Sequence, residues 1–186
     1  MTPEKQAIFL SLNHDVSLIT LILGTFLLIW VIGLFFFPKK QKESKAYSCF
    51  SKYSLPFGFF VALVTSLITL YYSDYLGVLP CGLCWFQRVA LYSMVFILGT
   101  AWYRKDRNVF HYVLPLSVFG EIISLYHHYL QMGYNEILPC PVVASTIDCA
   151  KPTFVEFGFI TFPLMSVVLF LFFILLSMIV IKDKKS

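Results

Sequence analysis

The chain has 186 residues, 59% of them hydrophobic, 18% aromatic and only 13% charged. That balance excludes a soluble globular domain and fits an integral membrane protein of one helix bundle. The formal net charge of +4 gains meaning only once it is divided among the loops, and no nucleic-acid motif accompanies it.

Five apolar stretches predict transmembrane helices of roughly 20 residues each. They lie at about Val16–Phe37, Leu55–Tyr72, Trp85–Tyr103, Phe110–Leu130 and Gly158–Ile181. The first has an apolar run too long for a signal peptide and no small-residue cleavage site, so it reads as a retained span. The expected fold is all-α.

The loops between these spans set the orientation. One carries Lys39, Lys40, Lys42, Lys45 and Lys52, the next carries Arg104, Lys105 and Arg107, and the tail carries Lys182, Lys184 and Lys185. With five spans, all three segments fall on one side, leaving Lys5, Arg88 and Lys151 for the other. The positive-inside rule then puts the C-terminus in the cytoplasm and the N-terminus outside.

Topology sorts the five cysteines. Cys81 and Cys84 fall in a short outer loop, and Cys140 and Cys149 in a longer one. Four thiols on the oxidising side make two natural pairs. Cys49 alone is inside, beside the lysine-rich segment, and reads as a spectator thiol rather than a lipidation site.

The first pair stands in Pro80-Cys81-Gly82-Leu83-Cys84-Trp85-Phe86-Gln87-Arg88. A static bridge across two intervening residues would constrain almost no chain, so the pair points to redox chemistry. A helix beginning near Cys84 would aim its positive end at that sulfur and favour a thiolate there. Arg88 lies one turn on, on the same face, and adds a permanent cation. Such a cation suits a developing oxyanion, such as a quinone carbonyl during reduction. The bland alternative is an arginine that snorkels to the interface.

The second pair is flanked by Pro139, Pro141 and Pro152, which preclude a regular helix. An exposed, pliable loop suits presentation of a cysteine to another protein. A plain structural disulfide there would contribute roughly 2.5–3 kcal/mol in the entropic picture. His127 and His128 sit near the outer end of the fourth span, and Glu121 lies about 9 Å deeper. A neutral histidine can donate to a carbonyl oxygen or pass a proton. The adjacent histidines point in different directions, which disfavours a metal site. A four-cysteine zinc site is disfavoured by the unequal spacing of the two pairs and by the oxidising side they face.

The run from Cys81 to Arg88 resembles the Cys-x-x-Cys-aromatic-x-x-Arg segment of the bacterial disulfide-bond-formation protein B family, and within it the short-loop branch. Similarity extends to Tyr126-His127-His128-Tyr129-Leu130-Gln131, to Cys140 and Cys149, and to Phe157-Gly158-Phe159-Ile160-Thr161-Phe162-Pro163-Leu164-Met165. It covers about residues 55–181 in the family's order.

The resemblance implies a four-helix transmembrane bundle with one extra N-terminal helix. Residues 1–54 would hold that helix and a basic cytoplasmic loop, and residues 55–186 the oxidoreductase bundle. The implied activity is a thiol:quinone oxidoreductase of the bacterial inner membrane. It would reoxidise a soluble thioredoxin-like thiol oxidase and pass electrons to ubiquinone or menaquinone. Cys140 would form the mixed disulfide with that partner, Cys149 would exchange with Cys81, and Cys84 would contact the quinone. Arg88 matches the family's quinone-site arginine, and His127 a histidine near the quinone in some members. Two rival readings use the same cysteines: a conduit carrying reductant outward, and a structural membrane protein with static outer disulfides.

Overall fold

The computed structural model describes residues 3–36, 51–140 and 148–184. Among the described residues five α-helices follow in order: α1 (Pro3–Phe36), α2 (Ser54–Leu70), α3 (Gly82–Arg104), α4 (Phe110–Gln131) and α5 (Phe162–Lys184). All five contain stretches long and apolar enough to cross a membrane. A wide π turn, Tyr71–Tyr75, extends α2, and a 3₁₀ turn, Arg107–Val109, leads into α4. The expected all-α membrane architecture is therefore present. Cys49 lies outside the described residues.

Three helix starts differ from the sequence expectation. The first helix begins at Pro3 rather than near Val16. Hydropathy marks only the apolar part of a helix, whereas proline at its start and Glu4 in its first turn favour the longer element. The third begins at Gly82, with Cys81 as its N-cap, rather than near Cys84. The fifth begins at Phe162 rather than Gly158, because Phe157 and Gly158 take positive φ values of 52° and 80°. They form a turn closed by paired backbone bonds between Glu156 and Ile160, which cannot belong to a right-handed helix. At the other end of α3, Lys105 adopts a left-handed conformation and the Asp106 N–H donates to the Ala101 carbonyl, which stops the helix.

The core is built from Ala62, Ala90, Met94, Leu98, Phe110, Val113, Phe170 and Phe173. Small residues let the helices approach, as membrane bundles require. At Gly120 an added Cβ would lie 2.4 Å from a Phe170 ring carbon, so α4 and α5 meet there without room for a methyl. Buried Ser117, Ser124 and Ser177 satisfy their hydroxyls on carbonyls of their own helices. At one end of the bundle the Arg107 guanidinium joins the Ser51 carbonyl and hydroxyl to the Asp183 carboxylate. That clip gathers the start of α2, the α3–α4 connection and the end of α5 on one side.

Helix α1 is fastened to the opposite end. The buried Tyr72 hydroxyl donates to Asn13 Oδ1 at 2.7 Å. Lys5 donates to the Tyr75 carbonyl at 2.6 Å and lies over the Tyr75 ring. Midway, Gly24 brings α1 against Val168 of α5.

Candidate functional site

The chemistry begins where α3 begins. Cys81 is extended (φ −75°, ψ 174°), and its sulfur accepts from the Cys84 N–H at 3.4 Å. This is the N-cap arrangement with sulfur in place of oxygen. The first helical turn then returns Cys84 to within 3.0 Å of it, sulfur to sulfur. Small backbone and side-chain adjustments alone separate two such thiols from a disulfide.

His127 stands behind this pair. It is fully buried, with Nε2 3.5 Å from the Cys81 sulfur. Its Nδ1 lies 3.3 Å from the Gln87 amide, and the Gln131 amide is 3.2 Å from Nε2. The Cys81 thiol, just outside the α3 span, is pulled down to about 4. The hydrogen bond from the Cys84 thiol contributes most, and His127 adds to it against the cost of burial. Sequence reasoning put the anionic sulfur at Cys84. The observed cap puts the helix end, the thiol donor and the imidazole all on Cys81. The two histidines diverge as expected, since His128 turns to Thr161 at 3.1 Å. Glu121 lies apart, and its Oε2 has no hydrogen-bond partner among the described residues.

Cys81, Cys84 and His127 also present three possible metal ligands within 4.8 Å of one another. Two thiolates on one tetrahedral zinc, at ~2.3 Å each, would sit about 3.8 Å apart. The observed 3.0 Å is too close for that and suits sulfur–sulfur bonding better.

Cys140 and Cys149 are joined as a disulfide with Cα atoms 6.0 Å apart. Although residues 134–139 are exposed, Cys149 is only 1% exposed. It shares a buried cluster with Cys81, Leu83 and Leu130, against which Cys84 and Cys140 pack. The second pair thus has an inner and an outer sulfur, a polarity that proline-rich composition did not reveal. Tyr126 holds the loop in place. Its hydroxyl donates to the Leu138 carbonyl and accepts from the Leu138 N–H at 2.8 Å. The Cys140 N–H donates to the Glu136 carboxylate at 2.7 Å.

On the other side of the dithiol lies an apolar cavity of about 630 Å³. Cys84, Gln87 and Arg88 reach it near the N-terminal end of α3, where Val78, Leu79 and Pro80 also line it. Arg88 donates to the Thr69 carbonyl at 3.0 Å and lies 5.8 Å from the Trp85 ring centre. One of its five N–H donors is so committed. The size and the few convergent polar groups are those of a small-molecule site. Sequence reasoning passed over Gln87, Gln131, Tyr126 as a loop anchor, and Thr69. Their polar character amid apolar helices was the available signal.

A buried Cys-x-x-Cys at a membrane helix mouth, packed on a second cystine, defines a membrane-embedded thiol oxidoreductase. Comparison with known proteins agrees. The family model for disulfide bond formation protein DsbB matches residues 51–180. Disulfide bond formation protein C of Bacillus subtilis (strain 168) is 38% identical over 128 residues, which cover 68% of this chain and 90% of that protein. The SPbeta prophage-derived disulfide bond formation protein B of the same organism is 39% identical over 128 residues, 68% of this chain and 85% of its own. A probable disulfide formation protein of Coxiella burnetii (strain CbuK_Q154) is 42% identical over 112 residues, 60% of this chain and 76% of its own. No solved structure matches. The chain belongs to the disulfide bond formation protein DsbB family and is a membrane disulfide oxidase.

Proposed function

We propose that this protein reoxidises a soluble thioredoxin-like thiol oxidase outside the cytoplasm and delivers the electrons to a membrane quinone. One observation carries the reading: Cys149 and Cys81 share a buried cluster, and Cys84 on the far side faces an apolar cavity beside Arg88.

A partner thiolate attacks Cys140, the outer sulfur, and the bond to Cys149 breaks. The partner's second thiol resolves the mixed disulfide, so the partner leaves oxidised and Cys140 and Cys149 hold its two electrons. Cys149 then attacks the Cys81–Cys84 disulfide, and Cys140 closes back onto Cys149. Access and thiolate fraction govern each exchange. His127, against the Cys81 sulfur, is suited to take and return its proton.

Cys84, Gln87 and Arg88 would hold the quinone head, and an apolar cavity with few polar groups fits such a molecule. The bound quinone supplies a two-electron, two-proton acceptor, of either the ubiquinone or the menaquinone type. Arg88 contributes a fixed positive charge toward any oxygen that gains electron density.

The basic loops favour a bacterial inner-membrane orientation with the cysteines outside and the C-terminus in the cytoplasm. The Ser51–Arg107–Asp183 clip supports that reading, since it gathers three of those segments at the end away from the cysteines. Residues 55–186 would form the catalytic bundle and residues 1–54 an appended segment, in keeping with a family match that starts at residue 51.

The test is turnover of purified protein with a reduced thioredoxin-like oxidase and quinone, followed by quinone absorbance. Cys84→Ala should abolish it, and full turnover by that variant would sink the relay. Arg88→Ala should raise the quinone KM while exchange between the cysteine pairs survives. An unchanged KM counts against the assigned head site.

A further inference from the structure

The cavity is far longer than a quinone ring. Its lining on α2 and the π turn that extends it runs from Tyr72 to Phe57, about 22 Å at 1.5 Å per residue. Helix α1 supplies one wall of it, through Val16, Thr20, Leu23 and Leu27. This helix lies outside residues 51–180, which carry the family match. It is not loosely placed. Asn13 and Lys5 tie it to Tyr72 and Tyr75 at the outer end, and Gly24 seats it on α5.

We propose that α1 is the side wall of a slot for the isoprenoid tail of the quinone, and that Thr20 and Leu23 make the site sensitive to tail length. This rests on the quinone reading above. The slot has its polar groups at one end and a long apolar body below, the shape of a neutral ring with an extended tail. A phospholipid fits less well, because Val78, Leu79 and Pro80 line the cavity beside Arg88, where a charged, hydrated headgroup would sit. Tails are already solvated by the bilayer, so discrimination in the slot comes from shape rather than from the hydrophobic effect.

Thr20 is the most direct probe. It is buried, and its hydroxyl is satisfied by the Val16 carbonyl of its own helix. Thr20→Phe should fill the slot, whereas Thr20→Val should leave its volume intact. Leu23→Phe, on the half-exposed flank, is a second filler should Thr20→Phe fail to fold. Binding is read by quenching of tryptophan fluorescence in a Trp85→Phe, Trp102→Phe background, which leaves Trp30 in the slot as the single reporter. The full chain in nanodiscs is titrated with a tailless quinone and with a long isoprenoid quinone.

The fillers should weaken long-tail binding about tenfold, the scale of an overpacked site. They should leave tailless binding, which also reports folding, unchanged, and Thr20→Val should match the parent with both. Equal weakening of both quinones, or of neither, overturns the slot. So does a brominated acyl chain that quenches Trp30 and is not displaced by long-tail quinone, since a lipid then owns the cavity. If the parent protein binds neither quinone, the quinone reading itself falls, an outcome distinct from parent binding without tail discrimination.

Discussion

The position of the anionic sulfur can be tested through the pH dependence of the Cys81–Cys84 potential. Reducing a disulfide to two thiols takes two electrons and two protons, so its potential falls ~59 mV per pH unit. If one sulfur stays a thiolate, only one proton is taken up and the slope halves to ~30 mV. The hydrogen bond from Cys84 and the nearby His127 hold the Cys81 thiol well below the usual thiol range, so it stays an anion at neutral pH and gains its proton only as pH falls through the lowered value. At neutral pH this stabilises the reduced pair relative to one with two ordinary thiols, an effect that solvent near the helix mouth moderates. A more stable reduced pair is a more oxidising disulfide, as the proposed electron flow from Cys140 and Cys149 would require. The assay equilibrates the protein in glutathione buffers across neutral pH, traps free thiols with a maleimide and maps the labelled cysteines. The expected slope is ~30 mV per unit, steepening to ~59 mV in acid. His127→Ala should move that break to higher pH. A slope of ~59 mV throughout the neutral range would refute the assignment of a thiolate to the reduced pair.

Three further outcomes follow from the packing. Tyr126→Phe removes both bonds to Leu138, at roughly 0.5–1.5 kcal/mol each. It should speed proteolytic cleavage within residues 134–139 and slow exchange with the partner. Gly120→Ala forces Phe170 aside and should destabilise the bundle by about 1–3 kcal/mol, read as a lower melting temperature in detergent. Arg107→Leu removes the Arg107–Asp183 ion pair and the guanidinium's bonds to Ser51, and so loosens three segments at once. It should lower the melting temperature while the Cys81–Cys84 potential stays unchanged.

What the sequence disclosed was local. Apolar runs marked five spans because burial in lipid is a property of each segment. The two-residue spacing of Cys81 and Cys84 disclosed a closable pair because one helical turn suffices to bring them together. What it concealed depends on how helices rotate against one another. His127 could be placed at the right depth from helical rise, but not against Cys81, since nothing in α4 encodes its facing toward α3. The same holds for Cys149, whose burial beside Cys81 is a tertiary fact. The start of α5 was obscured differently: Phe157, a poor left-handed residue, gave no warning of the turn that precedes Phe162. The sequence marked the apolar part of α1, yet neither its start at Pro3 nor that one of its faces would close a cavity.

The tie between Arg88 and Thr69 has an electrical consequence. The arginine is anchored by a backbone carbonyl, and among the described residues no carboxylate pairs with it. With Cys81 and Cys84 bonded to each other, this corner of the protein carries one uncompensated positive charge. Once the pair is reduced and one sulfur is a thiolate, it carries none. Gain of electrons and loss of net charge are then a single event. A neutral, lipid-soluble molecule of the proposed kind would meet a cation in one half of the cycle and an internally balanced dipole in the other. The oxidation state would thereby be written into the local field, which a ligand in the cavity would sense without touching either sulfur.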